Sequence, residues 1–232
     1  RSSSLTIGGC FDDTGWDAET NLSTADYGML GIDAGGFAGF AVSMAGDVDG
    51  DGLMDILVGA HRDDTGGIQA GSATLFLAAD LGSGSSLDLD EAHIRLIGDE
   101  ADDYAGYSVS SAGDVDGDGL DDILVGAPQE DTMGASAGMV YLFFGSSLSE
   151  SGELSVGEAD VMFAGEASQD WAGVSVSSAG DVDGDGLDDV LIGAFAHDAG
   201  GTDAGIVYLV LADTIAGNSQ ISLADSDYHF VG

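Results

Sequence analysis

Apolar residues along this chain come in short bursts. DILVGA at 55–60, AGSATLFLA from Ala70 and HIRLIG ending at Gly98 are rich in Val, Ile, Leu and Phe and are bounded by Gly, Asp or Ser. That length and that punctuation predict β-strands rather than helices. Wherever a 3.6-residue periodicity starts, a glycine interrupts it within a dozen residues, so very little helix is expected.

The bursts recur with a fixed period. FAGFAVSMAG (37–46), YAGYSVSSAG (104–113) and WAGVSVSSAG (171–180) are 67 residues apart, and so are DILVGA, DILVGA and DVLIGA at 55, 122 and 189. AGSATLFLA, AGMVYLFFG and AGIVYLVLA follow from Ala70, Ala137 and Ala204, and each unit closes on an apolar segment ending at Gly98, Gly165 or Gly232. Four predicted strands per unit, in tandem, point to four-stranded antiparallel β-propeller blades, each stabilised by stacking on its neighbours. The expected division is 32–98, 99–165 and 166–232 as three blades. Residues 1–31, with SLTI and DYGMLG, supply the last two strands of a preceding partial blade. Propellers close with four to eight blades. Three and a half therefore imply an excerpt of a longer array, closure by association of chains, or an open stack that continues into a filament.

Composition narrows the function. Forty-three acidic residues against three basic ones give a formal charge of −40. Such a chain lacks the cations that bind nucleic-acid phosphates or anionic membranes. With 44% hydrophobic residues it is nevertheless able to bury a core. The longest strongly apolar run, IVYLVLA at 206–212, is far below the ~20 residues of a membrane helix. Cys10 is the single cysteine and forms no intrachain disulfide, so cysteine usage says nothing of the compartment. The chain starts at Arg1 without a signal-type segment, which suggests a processed form or an excerpt.

The charge is patterned. GDVDGDGLMD (46–55), GDVDGDGLDD (113–122) and GDVDGDGLDD (180–189) each set aspartates at positions 1, 3, 5 and 9 of a loop that opens at Asp47, Asp114 or Asp181. Alternate carboxylates in a glycine-turned loop converge on one point, where they repel one another unless a cation sits among them. A hard divalent ion with six to eight oxygen ligands fits, and calcium fits best; the carbonyl at position 7 adds a ligand. Zinc would recruit His or Cys. Position 12 is Val58, Val125 or Ile192 inside a strand, so the helix-flanked loop closed by a glutamate at position 12 is excluded.

The aromatic-x-Gly openings FAGF, YAGY and WAGV, the DxDGDGxxD loops and the GAH, GAP and GAF endings at 59–61, 126–128 and 193–195 resemble FG-GAP repeats over residues 32–232. That family includes the blades of the integrin α-chain propeller and many secreted bacterial proteins. The resemblance implies a calcium ion between the first two strands of each blade. Its ligands would be Asp47, Asp49, Asp51, the Leu53 carbonyl and Asp55 in the first loop. The second set is Asp114, Asp116, Asp118, the Leu120 carbonyl and Asp122, and the third is Asp181, Asp183, Asp185, the Leu187 carbonyl and Asp189.

Catalytic patterns dissolve on the repeat. GASAG at 134–138 fits a nucleophile-serine motif, but its equivalents read GIQAG and GTDAG, so Ser136 is a variable tenant of a structural loop. His61, His93, His197 and His229 do not recur together as one ligand set. Asp64, Asp131 and Asp198 do recur, as turn-capping aspartates or, alternatively, as an extra calcium contact. Phe37, Tyr104 and Trp171 are expected to stack between blades, with sugar stacking as the other use. The expectation is a non-enzymatic, calcium-binding, extracellular propeller segment for adhesion, recognition or assembly. Its partners are calcium and a protein or second copy that completes the ring. The alternatives are a filament-forming subunit and an accessory propeller of a larger secreted hydrolase.

Overall fold

The computed structural model describes residues 4–7, 27–32, 34–81, 86–89 and 92–232; Cys10 lies outside them. The strands are β1 (Ser4–Ile7), β2 (Tyr27–Leu30), β3 (Ala41–Gly46), β4 (Asp55–Ala60), β5 (Ser72–Phe76), β6 (Ser86–Asp88) and β7 (Ile94–Ile97). Then come β8 (Ser108–Gly113), β9 (Asp122–Ala127), β10 (Met139–Phe143), β11 (Gly152–Ser155) and β12 (Val161–Ala164). Last are β13 (Ala172–Gly180), β14 (Asp189–Ala194), β15 (Ile206–Val210), β16 (Gln220–Ser222) and β17 (Tyr228–Val231). The one α-helix among the described residues is the four-residue turn Ala212–Ile215. None of their helices is long and apolar enough to cross a membrane.

The strands form propeller-type blades. β3-β4-β5-β7, β8-β9-β10-β12 and β13-β14-β15-β17 are antiparallel four-stranded units, as the sequence predicts. β1 pairs antiparallel with β2, Ser4 opposite Leu30 and Ile7 opposite Tyr27.

The core lies between blades. In β9 every residue is buried, and its side chains alternate between two neighbours. Ile123 and Val125 face blade 1 residues Leu57, Leu75 and Leu96, while Leu124 joins Val190, Ile192, Tyr208 and Val210 of blade 3. This two-sided burial explains why DILVGA is continuously apolar rather than alternating. A third cluster of Met29, Val58, Phe76 and Leu89 joins blade 1 to the β1–β2 sheet.

One element departs from the four-strand reading. β6, β11 and β16, between the third and fourth strands of their own units, cross to the preceding sheet and pair parallel with β2, β7 and β12. Each unit thus lends a strand backwards. SLD, GELS and QIS are too short and polar to register as strands in the sequence, because their partners lie in another unit. Among the described residues β17 has no such cover; Tyr228, Phe230 and Val231 are at least half exposed there.

Candidate metal centres in the acidic loops

Each acidic loop begins at a bulge. The β3–β4 register slips between Met44 and Gly46, and β8–β9 and β13–β14 slip at the equivalent Gly113 and Gly180. These glycines have φ of +94°, +78° and +70°, which side-chain-bearing residues rarely adopt. The bulge turns the chain out of the sheet, so the following aspartate points back over the loop.

Hydrogen bonds then wind the loop. Asp47 Oδ2 accepts from the Gly52 amide at 3.0 Å, Asp49 Oδ1 from Asp51 at 3.0 Å and Asp51 Oδ1 from Leu53 at 2.8 Å. The second loop repeats these contacts through Gly119, Asp118 and Leu120, and the third through Gly186, Asp185 and Leu187. The last aspartate anchors everything. Asp55 is fully buried and accepts from the amides of Val48 at 2.9 Å and Ala78 at 2.8 Å. Asp122 does so from Val115 and Gly145, and Asp189 from Val182 and Ala212.

These folds bring carboxylates together at three places. Asp47, Asp49 and Asp55 each offer an oxygen within 4.8 Å of the others, as do Asp114, Asp116 and Asp122, and Asp181, Asp183 and Asp189. Positions 1, 3 and 9 of the predicted set therefore meet. Asp51, Asp118 and Asp185 at position 5 lie outside these clusters, each turned to the amide two residues on. The position-7 residues Leu53, Leu120 and Leu187 follow directly in the same turn.

The clusters suit a cation. Asp47 Oδ1 is buried without any hydrogen-bond partner, an unusual state for a carboxylate oxygen. Burial pushes the Asp122 carboxyl up to about 7; the Gly145 and Val115 amides oppose the rise, and the charges of Asp116 and Asp114 add to it. Asp55 is raised for the same reasons, burial first and then Asp49 and Asp51 against the amides of Ala78 and Val48. All-oxygen donors without His or Cys match a hard ion such as calcium. When bound, the ion would supply the positive charge that these crowded carboxylates lack.

Two contributors escaped the sequence reading. Asp121 Oδ2 accepts from the Asp47 amide at 2.7 Å, and Asp188 Oδ2 accepts from the Asp114 amide at 3.0 Å. Their signal was position 8, which reads Asp in loops 2 and 3 but Met54 in loop 1.

The other recurring residues sit at the opposite end of the blades. Asp64 and Asp198 accept from the amides five residues on, at 2.7 and 2.9 Å, as turn-capping aspartates do. Tyr104 stacks across the joint on His61, and Tyr107 on Phe40, with centroids 5.5 and 4.9 Å apart. Phe37 is 49% exposed, and Trp171 packs on Phe195 within its own unit. Ser136 lies in a turn at φ +50°.

Fold and loops define the class: an all-β array of propeller blades, each with an acidic loop between its first two strands that could hold a metal ion. The FG-GAP repeat profile matches residues 38–76, 105–143 and 172–210, just over half of the chain, and the chain belongs to the FG-GAP repeat family. It is 35% identical to integrin alpha-4 of Xenopus laevis over 175 residues, 71% of this chain and 15% of that protein. Integrin alpha-5 of Xenopus laevis is 30% identical over 190 residues, 78% of this chain and 16% of that one. Integrin alpha-PS2 of Drosophila melanogaster is 30% identical over 178 residues, 74% and 12% respectively. The chain thus spans about one sixth or less of the length of these relatives.

Proposed function

We propose that this chain is a calcium-stabilised, non-enzymatic segment of an extracellular β-propeller that serves adhesion or recognition. Blades occupy 32–98, 99–165 and 166–232, and residues 1–31 contribute outer strands of a preceding blade. Calcium binds through Asp47, Asp49, Asp51, the Leu53 carbonyl and Asp55, and through the equivalent residues of the second and third loops. The observation that carries this reading is the buried, unpartnered Oδ1 of Asp47, a residue that offers a carboxylate oxygen within 4.8 Å of oxygens from Asp49 and Asp55. Similarity to integrin α chains supports the adhesive role and the extracellular setting, where millimolar calcium suits sites of this kind.

Thermal unfolding with and without a chelator tests it. An ion that binds only the folded state adds about 2.7 kcal/mol per site at a hundredfold excess over Kd. Chelation should therefore lower the melting temperature clearly, and calcium but not magnesium should restore it at equal concentration. Identical melting curves would remove calcium from the proposal.

The outer edge of β17 favours protein association as part of that function. The equivalent edges of β2, β7 and β12 each carry a parallel strand from the following unit. β17 can accept one by the same rule, from a further unit of the polypeptide or from another chain.

A further inference from the structure

The acidic loops are not independent. Both main-chain groups of Asp47, the residue that opens loop 1, are held by loop 2: its amide donates to Asp121 Oδ2 at 2.7 Å, and its carbonyl accepts from the Asp121 amide at 3.0 Å. Loop 3 holds loop 2 in the same way, through Asp188 and Asp114, with both contacts at 3.0 Å. These pairs are 74 residues apart in sequence.

Packing reinforces the clamp. A Cβ on Gly46 would lie 2.3 Å from Asp121 Oδ2, and one on Gly113 would lie 2.0 Å from Asp188 Oδ2, so no other residue fits beneath either carboxylate. Leu120 and Leu187 extend over the preceding loops, with Cδ2 atoms 2.9 Å from a Cβ placed on Gly50 or Gly117. Loop 3 stands apart. A Cβ on Gly180 or Gly184 would meet nothing within 4 Å, unlike one on Gly46, Gly113, Gly50 or Gly117, and among the described residues no side chain accepts from the Asp181 amide.

We infer that Asp121 and Asp188 are positioning residues for the metal site of the preceding loop, which makes adjacent calcium sites a coupled series rather than three separate clips. The inference rests on the calcium reading above. Neither residue belongs to the carboxylate cluster of its own loop. Each fixes the backbone of a neighbour's first ligand, which reduces the ordering that binding must impose there. Each also places a carboxylate behind that ligand, and a charge-assisted bond of this type is among the stronger ones. Loops 1 and 2 are therefore tight and loop 3 weaker in this chain. Because coupling is reciprocal, filling loop 1 also steadies loop 2.

Calcium titration of the ¹⁵N-labelled 232-residue chain, stripped by chelator, separates the sites. The amides of Gly52, Gly119 and Gly186 each donate to the first aspartate of their own loop at 3.0 Å and report on it individually. In the unmodified chain, Gly186 should respond at a calcium concentration severalfold above that for Gly52. In Asp121→Ala the Gly52 midpoint should rise about tenfold, the loss of one hydrogen bond to a charged acceptor. The Gly119 midpoint should move less than twofold, although Asp121 adjoins the ligand Asp122. Asp121→Asn keeps an oxygen acceptor and should cost loop 1 less than the alanine does, which also serves if the alanine variant folds poorly. A larger effect at Gly119 than at Gly52, no effect at Gly52, or equal loss in the Asn and Ala variants would overturn the positioning role while leaving the calcium reading intact. Silence of all three amides in the unmodified chain would overturn the calcium reading itself.

Discussion

Units 1 and 2 meet the same problem, a buried acid at the end of the blade opposite the metal loops, and solve it in opposite ways. Asp63, 4% exposed, accepts from the Thr65 amide at 2.8 Å, Ser72 Oγ at 2.9 Å and Arg95 Nη2 at 3.0 Å. Burial alone would lift its pKa, but the hydroxyl and amide of Thr65, then Ser72 and Arg95, hold it below the usual carboxylate value. The other end of the Arg95 guanidinium reaches Glu153 at 2.8 Å and so ties β7 to the borrowed strand β11.

Sixty-seven residues on, the Ser72 and Arg95 donors are gone. Glu130 stands for Asp63, Met139 for Ser72, Tyr141 for Thr74 and Met162 for Arg95. Glu130 keeps the Thr132 amide on Oε1, but its Oε2 is buried without a partner. Asp103, 7% exposed, brings a second acid, and burial pushes its carboxyl up to about 7, with Glu130, Glu100, Asp131 and Asp99 adding to the rise. One backbone register thus accommodates an ion pair in unit 1 and, in unit 2, a carboxyl raised to about 7. Unit 3 takes a middle course, with His197 Nε2 lying 3.7 Å from Asp170 and 3.8 Å from Glu166.

The sharpest way to break this comparison is to give unit 1 the residue of unit 2. Arg95→Met leaves Asp63 buried without its cation and frees β11 from its side-chain tie. Loss of one partner of a buried pair typically costs about 3–5 kcal/mol. Chemical denaturation at pH 8 in excess calcium should show a loss of that size. A loss under about 1 kcal/mol would mean that Thr65 and Ser72 suffice and that the ion pair is incidental.

Next in size is the pH dependence of unit 2. The folded-state pKa of Asp103 lies above its ordinary value of 3.8, so its contribution is complete below that value and is lost as pH rises through about 7. Asp63 has the opposite sign: its contribution is present above its ordinary value of 3.8 and is lost as pH falls through its depressed folded value. Between pH 5 and 8 the Asp103 effect is opposed, up to about pH 6.5, by His61, whose imidazole is held down at about 4 by burial and the Arg62 charge. In excess calcium, which on the proposed reading keeps Asp122 ionised, the Asp103 part of the stability should drop by up to about 1.4 kcal/mol for each step of one in pH below about 7, and it is read as the difference from Asp103→Asn. Asp103→Asn should remove that part, so its stability relative to the unmodified chain should rise with pH from 5 to about 7. Equal slopes in the two proteins would show that Asp103 titrates near its ordinary value in the folded state.

The contrast also marks how far the sequence could be read. The 67-residue period, the blade strands and the three carboxylate clusters were legible because each depends on local pattern: short apolar runs, a glycine bulge, and aspartates two apart. The borrowed strands were not, since SLD, GELS and QIS acquire their pairing from a neighbouring unit. Asp121 is one acid among many until a contact 74 residues away gives it a role. The buried acids are hidden likewise: Asp63 meets Arg95 at a separation of 32, and Asp103 reads in the sequence as solvated surface. Aligning the units position by position would have exposed the loss of Ser72 and Arg95 equivalents in unit 2. It would not have shown that the acids facing them are buried.

The reciprocal exchange, Met162→Arg, is the finest test because it asks whether unit 2 can be rebuilt as unit 1. Met162 lies opposite Tyr141 and Gln220, as Arg95 lies opposite Thr74 and Glu153, so an arginine there starts from the same register. Its guanidinium should reach the unpartnered Oε2 of Glu130, favour ionised acids around it and reduce the loss of stability with pH that Asp103 contributes below about 7. The net gain at pH 8 should be small, about 1 kcal/mol, because the bulk of Tyr141 takes room that Thr74 leaves free and overpacking costs typically 1–3 kcal/mol. The slope separates the two effects. Overpacking lowers the melting temperature at every pH, whereas a new ion pair changes how it varies with pH. An unchanged slope in Met162→Arg would mean that register alone does not position the pair, and that the Ser72 hydroxyl, replaced by Met139 in unit 2, is needed to aim the acid at its arginine.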